Sequence, residues 1–431
     1  MATFDFDDKA EVEVTFHGGV LKSARVRPNA LGISPEPIGN TFTFELAKPQ
    51  NLSIEVNGDL FDNLQLFANP IERNAPRPTA PNVIYFGPGV HSLGSDVIVP
   101  SNTTVYLAGG AVLMNRLVCD HVSNVRIAGR GIVWRAAQGI ELSSSNNVTI
   151  EGITVLNPDH YSIAAGQSRN ITIRNFKSIS SGRWSDGIDM MSCSDVLIDG
   201  IFMRNSDDCI AIYGHRGPYY GDARNITVRN ATLWADVAHP IFVGTHGDPQ
   251  KPDVIEDLAF RDIDVLDQNE PQVGYQGCFA INASDENLVR NVLVEDLRVE
   301  DFAQGQLVNL RVTFNRTYAK APGRGIENVM FRNMTYTGHN ANLSILSGYD
   351  DGRVLRNVVF ENLVINGAVI WDGMPGKLKH FATADMARFY VGDHVEGLEF
   401  RRSEADTKAV AARPPATAGL SSAGEEAIGK R

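Results

Sequence analysis

One short phrase recurs along this chain and limits what it can fold into: a polar pair followed by alternating aliphatic residues. It reads Ser123-Asn124-Val-Arg-Ile, Asn146-Asn147-Val-Thr-Ile, Arg169-Asn170-Ile-Thr-Ile and Ser194-Asp195-Val-Leu-Ile. It continues at Arg224-Asn225, Glu256-Asp257, Arg290-Asn291, Glu327-Asn328 and Arg356-Asn357, with a weaker copy at Glu396-Gly397. The intervals between the second residues are 23, 23, 25, 30, 32, 34, 37, 29 and 40. Self-similarity at such a period marks a repeat architecture, with the surplus of the longer intervals placed in external loops. Each unit holds two or three strand-length alternating segments separated by Asn, Gly or Ser, and no long amphipathic helical pattern. The expected fold is therefore all-β, a right-handed parallel β-helix of about ten coils. Coils stack at a strand spacing of about 4.8 Å, and inward side chains form aliphatic ladders. The 39 glycines and 32 asparagines supply the tight turns between faces.

Residues 1–69 lack the period. Short alternating stretches (Ala10 to Phe16, Thr41 to Leu46, Leu52 to Val56) punctuated by Gly and Pro predict a small β-sandwich. A proline-rich linker is expected over 70–82, the β-helix over 83–405, and a flexible tail over 406–431, where Ala, Pro, Gly and Ser dominate.

Composition narrows the function. With 39 basic and 51 acidic residues the net charge is −12, and no basic block offsets it, which excludes a nucleic-acid partner and disfavours polyanions. Four scattered cysteines make no disulfide framework and read as buried small hydrophobes. No apolar run is long enough for a membrane helix, so no membrane partner is expected. The N-terminus has neither a basic start nor an apolar core, so the chain as given reads as cytoplasmic, or as the mature form of an exported enzyme.

Two segments carry the chemistry: Arg183-Trp184-Ser185-Asp186-Gly187-Ile188-Asp189 and Asn205-Ser206-Asp207-Asp208-Cys209. From Asp186 to Asp207 is 21 residues, close to one coil, which puts the carboxylates on neighbouring coils of one face. Paired acids suit glycoside hydrolysis, where one protonates the leaving oxygen and another activates water. Like charge at that distance raises at least one pKa, and no Lys or Arg adjoins the doublet in sequence. A Ca²⁺ site is the other reading of three clustered acids; the expectation is no metal and no cofactor.

An Asp-Gly-x-Asp strand, then Asp-Asp-Cys about one coil later, then a histidine-bearing loop, resembles the polygalacturonases and the related dextranases and isopullulanases. The resemblance implies a right-handed parallel β-helix and an inverting hydrolase. It implies Asp207 as general acid, Asp186 and Asp208 as the pair that activates water, and Asp189 and His239 in supporting roles. Polygalacturonases also carry an Arg-x-Lys pair that grips galacturonate; the corresponding stretch, about Gly277 to Ser284, has neither base. The N-terminal sandwich, the stretches 82–91 and 106–111 and Pro240 after the histidine are closer to the dextranase and isopullulanase branch.

The expected substrate is accordingly a neutral α-glucan, dextran- or pullulan-like. The alternatives are a pectin-type hydrolase drawing on bases such as Arg311 or Lys320, a polysaccharide lyase, and a non-catalytic glycan-binding β-helix. Candidate sugar contacts flank the acids: Arg183, Trp184, Tyr213, His215, Arg216, Tyr219, Tyr220, His246 and Asp248, with His160 two coils earlier. Aromatic faces stack on pyranose rings, and the polar groups suit hydroxyls. Tyr219 and Tyr220 fall in the polar loop 214–222 and are expected outside any core, whereas Trp234 is evenly divided between core and site.

Overall fold

A computed structural model describes residues 1–403. The expected tail at 406–431 lies outside the described residues.

The repeated phrase is one corner of a right-handed parallel β-helix. Its first residues, from Ser123 through Asn146, Arg169, Ser194, Arg224, Glu256, Arg290, Glu327 and Arg356 to Glu396, pair in one unbroken parallel register. The residues after them, Asn124 through Asn357 and Gly397, all have φ between 52° and 67°. That left-handed conformation is one Asn and Asp tolerate best after Gly. Their amides stack up the helix as well: Asn147 Nδ2 donates to Asn124 Oδ1 at 2.7 Å, Asn328 to Asn291 at 3.1 Å and Asn357 to Asn328 at 3.0 Å. A second corner repeats the device, with Asn333 donating to Asp296 and Asn362 to Asn333.

Behind the corner the aliphatic ladders fill the bore. Val125, Val148, Ile171, Val196, Ile226, Leu258, Val292, Val329 and Val358 are all buried and adjacent in register. Toward the C-terminal end the inner position two residues on becomes aromatic. Phe331 stacks on Phe360 at 4.8 Å and 8°, and Phe360 on Phe400 at 5.3 Å and 14°. The four cysteines are buried and free.

The coils form an 11-stranded parallel sheet and a 20-stranded sheet that is parallel except where Leu363–Ile365 pairs with Ala368–Ile370. The smaller one runs from Val97–Ile98 to Phe389–Val391 and carries the chemistry-bearing segments. In it, Ile188 pairs with Ile210, and Ile210 with Ile241.

The first six strands make a four-stranded and a two-stranded sheet around Val26, Phe42, Leu52 and Leu66. We place the boundary of this unit in the strandless stretch after Pro70, which itself ends the strand Leu64–Pro70 rather than opening the linker. The stretch is fastened on both sides: Glu72 N donates to Asp5 at 3.1 Å, and Tyr106 Oη donates to Glu72 at 2.7 Å. The unit docks on the 20-stranded sheet through Phe67, Phe202, Trp234 and Leu266. Trp234 is therefore a seam residue, packed between the guanidinium groups of Arg27 at 5.1 Å and Arg204 at 4.0 Å. Arg27 is bonded to Glu55 and Glu300, so this buried cation has carboxylate partners from both units.

Candidate active site

The register refines the spacing of the acids. One coil here is 22 residues, Ile188 to Ile210, and the next is 31, Ile210 to Ile241. The turn before these strands therefore stacks Asp186, Asp208 and His239 in one column, with Asp207 one residue aside. Backbone bonds fix the column: Ser162 N donates to Asp186 O at 2.9 Å, Gly187 N to Asp208 O at 2.8 Å and Cys209 N to His239 O at 2.8 Å. Gly187 is obligatory, since a Cβ there would lie 2.2 Å from Cys209 O. Ser185 Oγ pins the turn by donating to Pro158 O at 2.7 Å.

Asp186, Asp207 and Asp208 each bring an oxygen within 4.8 Å of the others. Asp186 and Asp208 are buried and Asp207 is half-buried. Asp189 points to the groove side of its strand, fully buried between Ala164 and Ala211, and neither of its oxygens has a hydrogen-bond partner. Asp208 Oδ1 accepts from His239 N at 3.0 Å and from His239 Nδ1 at 2.6 Å. The other ring nitrogen of His239 faces the carbonyl of Tyr275. With an acceptor at each nitrogen, both are protonated, and His239 is the cation beneath Asp208. Burial opposes that charge, but Asp208 and the Tyr275 carbonyl outweigh it and hold the His239 pKa above its ordinary value.

The groove side of the next turn supplies a second cation. Arg216 and Tyr219 close a tight turn through paired backbone bonds of 2.9 and 3.1 Å. This folds the Arg216 guanidinium over the Tyr213 ring at 5.0 Å and toward Tyr161, Asp189 and Asp186. The acids are thus not without a basic neighbour, as the local sequence suggested; the loop returns one from eight residues beyond Asp208. Burial first, then the neighbouring carboxylates, push Asp186 and Asp189 well above the usual range. Burial and then Asp208 raise Asp207 to about 7.

The structure sorts the candidate sugar contacts. Tyr213 lies in the site, its hydroxyl 3.4 Å from Asp208 Oδ2 and its ring edge-on to His246 at 5.0 Å. Burial and then Arg216 hold His246 neutral, with a pKa near 3. His160 packs on Tyr161 at 4.0 Å. Arg183 and Trp184 stack on each other at 4.0 Å, both exposed on the turn before Asp186. Tyr219 was expected in an open loop; it is half-buried over Gly166, two coils from the Asp208 turn, where a Cβ would meet its ring at 2.3 Å. His215, Tyr220 and Asp248 lie on the outer flank: His215 N bonds Asp253, Tyr220 faces Lys251, and Asp248 closes its own turn. Among the described residues no hydrogen bond or ring contact joins these three to the carboxylates.

Sequence reasoning missed Tyr275 and Tyr318. Tyr275 packs edge-on against His239 at 4.6 Å and Phe242 at 5.3 Å, and Tyr318 stacks on it at 5.1 Å. Both belong to the insertions that lengthen the period after residue 257, which was the only signal available.

The fold and site together describe a β-helix with clustered carboxylates and two cations on one sheet, and comparison with known proteins supplies the class. Residues 133–367 match the model of glycosyl hydrolases family 28, and the chain belongs to that family of glycoside hydrolases. It is 23% identical to a dextranase of Arthrobacter sp. (strain CB-8) over 196 residues, which are 37% of this chain and 29% of that protein. It is 24% identical to a probable endopolygalacturonase D of Emericella nidulans over 255 residues, 58% of this chain and 44% of that one. The chain thus spans less than two thirds of either relative. In fold it matches Dex49A from Penicillium minioluteum, with a TM-score of 0.62 and 15% identity over 93% of this chain and 82% of that one.

Proposed function

We propose that this glycoside hydrolase cleaves α-glycosidic bonds of a neutral poly- or oligosaccharide, of dextran or pullulan type, with inversion at the anomeric carbon. Asp207 is the general acid, and Asp186 with Asp208 activates the water. The observation that carries the assignment is the distribution of charge. Four carboxylates face two cations, Arg216 and His239. Asp208 is matched by His239. Burial and the neighbouring carboxylates raise Asp186 and Asp189 together, and both lie against Arg216. Asp207 has no bonded cation and, at about 7, keeps the proton that a leaving oxygen needs.

The spacing bears on stereochemistry. Oxygens within 4.8 Å are closer than the roughly 6.5–9.5 Å usual between acid and base in inverting enzymes. The proposal of inversion therefore rests on two bases holding the water between them, and the product anomer tests it.

A neutral substrate is supported by the strand two coils beyond the Asp208 turn. Its groove-facing positions are Ala280 and Asn282, both buried and neither basic. The pectin-type reading draws on Arg311, one strand further, whose Nε is unpartnered while Nη1 donates to Gly274 O at 2.6 Å. Reducing-sugar release from dextran, pullulan and polygalacturonate side by side separates the two. Release from an α-glucan supports the proposal, and release from polygalacturonate alone overturns it.

A further inference from the structure

We propose that the enzyme works at chain ends, removing small sugars from a terminus rather than cutting internally; this rests on the glycoside-hydrolase reading above. The inference comes from which parts of the 11-stranded sheet a glycan can reach. On the groove-facing side of the early strands, Val118 and Asp120, then Glu141 and Ser143, are at least partly open to solvent. Near the C-terminal end the face opens again at Ile345 and Ser347, and at Tyr390. Across the five successive strands between Ile163–Gly166 and Phe279–Ala283, every residue on both faces is buried. The candidate acids precede the second and third of those five strands.

The cover is built from three loops over the sheet, two of which meet at Tyr275 and Tyr318. Tyr219 lies on Gly166, Arg216 on Tyr213, and Tyr275 with Tyr318 on Phe242. It is fastened rather than loose. The Arg216–Tyr219 turn closes on its own backbone, Arg311 Nη1 and Gln306 Nε2 hold the carbonyls of Gly274 and Val273 at 2.6 and 3.0 Å, and Ala321 N donates to Asp285 at 2.9 Å. An extended polymer has no path along this sheet past the acids. Access remains at the column of turns, where Trp184 and Val237 are exposed on either side of half-buried Asp207. A chain entering there meets the acids end-on, so the wall behind them limits how many units pass the cleavage point.

The test follows the size of a high-molecular-weight dextran against the reducing ends released by the full-length protein, with chromatography of the earliest products. A chain-end enzyme yields one small sugar from the first time point, and polymer size holds until a large share of reducing ends has appeared. An oligosaccharide ladder with early collapse of polymer size overturns the proposal. Tyr318→Ala removes part of the cover without touching the acids, and is expected to raise the loss of polymer size per reducing end several-fold. A variant with the wild-type ratio overturns the role given to the cover. Hydrolysis of polygalacturonate alone refutes the neutral-substrate reading instead, and the same size measurement on that polymer then decides this inference. If no glycan is cleaved, both fall.

Discussion

Replacing Asp207 with Asn tests the proton assignment through stability and activity together. The side chain is half-buried beside Asp208, and its pKa rises from 3.8 to about 7. At about 1.36 kcal/mol per pKa unit, that rise corresponds to about 4 kcal/mol between the two protonation states. The sign follows from the direction. A carboxyl whose folded pKa is raised contributes stability that is fully present below its unfolded value and is lost as pH climbs through the folded one. The wild-type protein should therefore lose up to about 4 kcal/mol of unfolding free energy between pH 4 and pH 7–8 from this group. Asn cannot ionise, and its Oδ1 can still accept the Asp208 N–H that Asp207 Oδ1 accepts at 3.0 Å. The variant should lack this part of the loss and be more stable than wild type above pH 7, while turnover drops by about 10²–10⁴-fold for want of the general acid. Denaturant unfolding of both proteins from pH 4 to 8 gives the difference curve. Parallel curves separated by a constant would refute the claim that Asp207 holds a proton near neutrality, and near-normal turnover would remove it from catalysis.

Arg216→Met takes away the cation facing Asp186 and Asp189, so the carboxylate proposed to activate water gains its proton more readily; the acid limb of the kcat/KM profile should move to higher pH, and an unmoved limb would assign Arg216 a purely structural role. Asn328 has φ 56° and sits mid-ladder, bonded to Asn291 and Asn357. Asn328→Ala should cost about 1–2 kcal/mol in unfolding free energy, and Asn328→Gly less, because only the alanine adds left-handed strain to the lost amide bonds. Phe331→Ala, in the fully buried aromatic stack, should cost about 3–5 kcal/mol by the same measurement.

The solenoid was legible because its determinants are local and repeated. An Asn or Asp in the left-handed conformation followed by alternating aliphatics specifies a corner and a strand wherever it occurs, and the ten copies fell into one register. The two acid segments were legible for the same reason, since each opens a coil. Their exact alignment was not: an interval of 21 residues pointed to Asp207, whereas the 22-residue coil stacks Asp186 on Asp208. The cations and the cover were harder still. Arg216 reaches Asp189 because its loop doubles back through the Gly217-Pro218 turn. Tyr275 and Tyr318 meet because insertions from two different coils lean on each other. Contacts between loops of separate coils follow no period, so no window of sequence contains them, and His215, Tyr220 and Asp248 shared the polar loops without sharing the site.

The central claim is that two carboxylates hold a water for direct displacement while a third protonates the leaving oxygen. The most direct test is proton NMR of the first sugar released from an α-linked glucan, recorded before mutarotation. The account predicts the β-anomer at the earliest time point. Release of the α-anomer would contradict it, because retention requires one of these carboxylates to act as a covalent nucleophile.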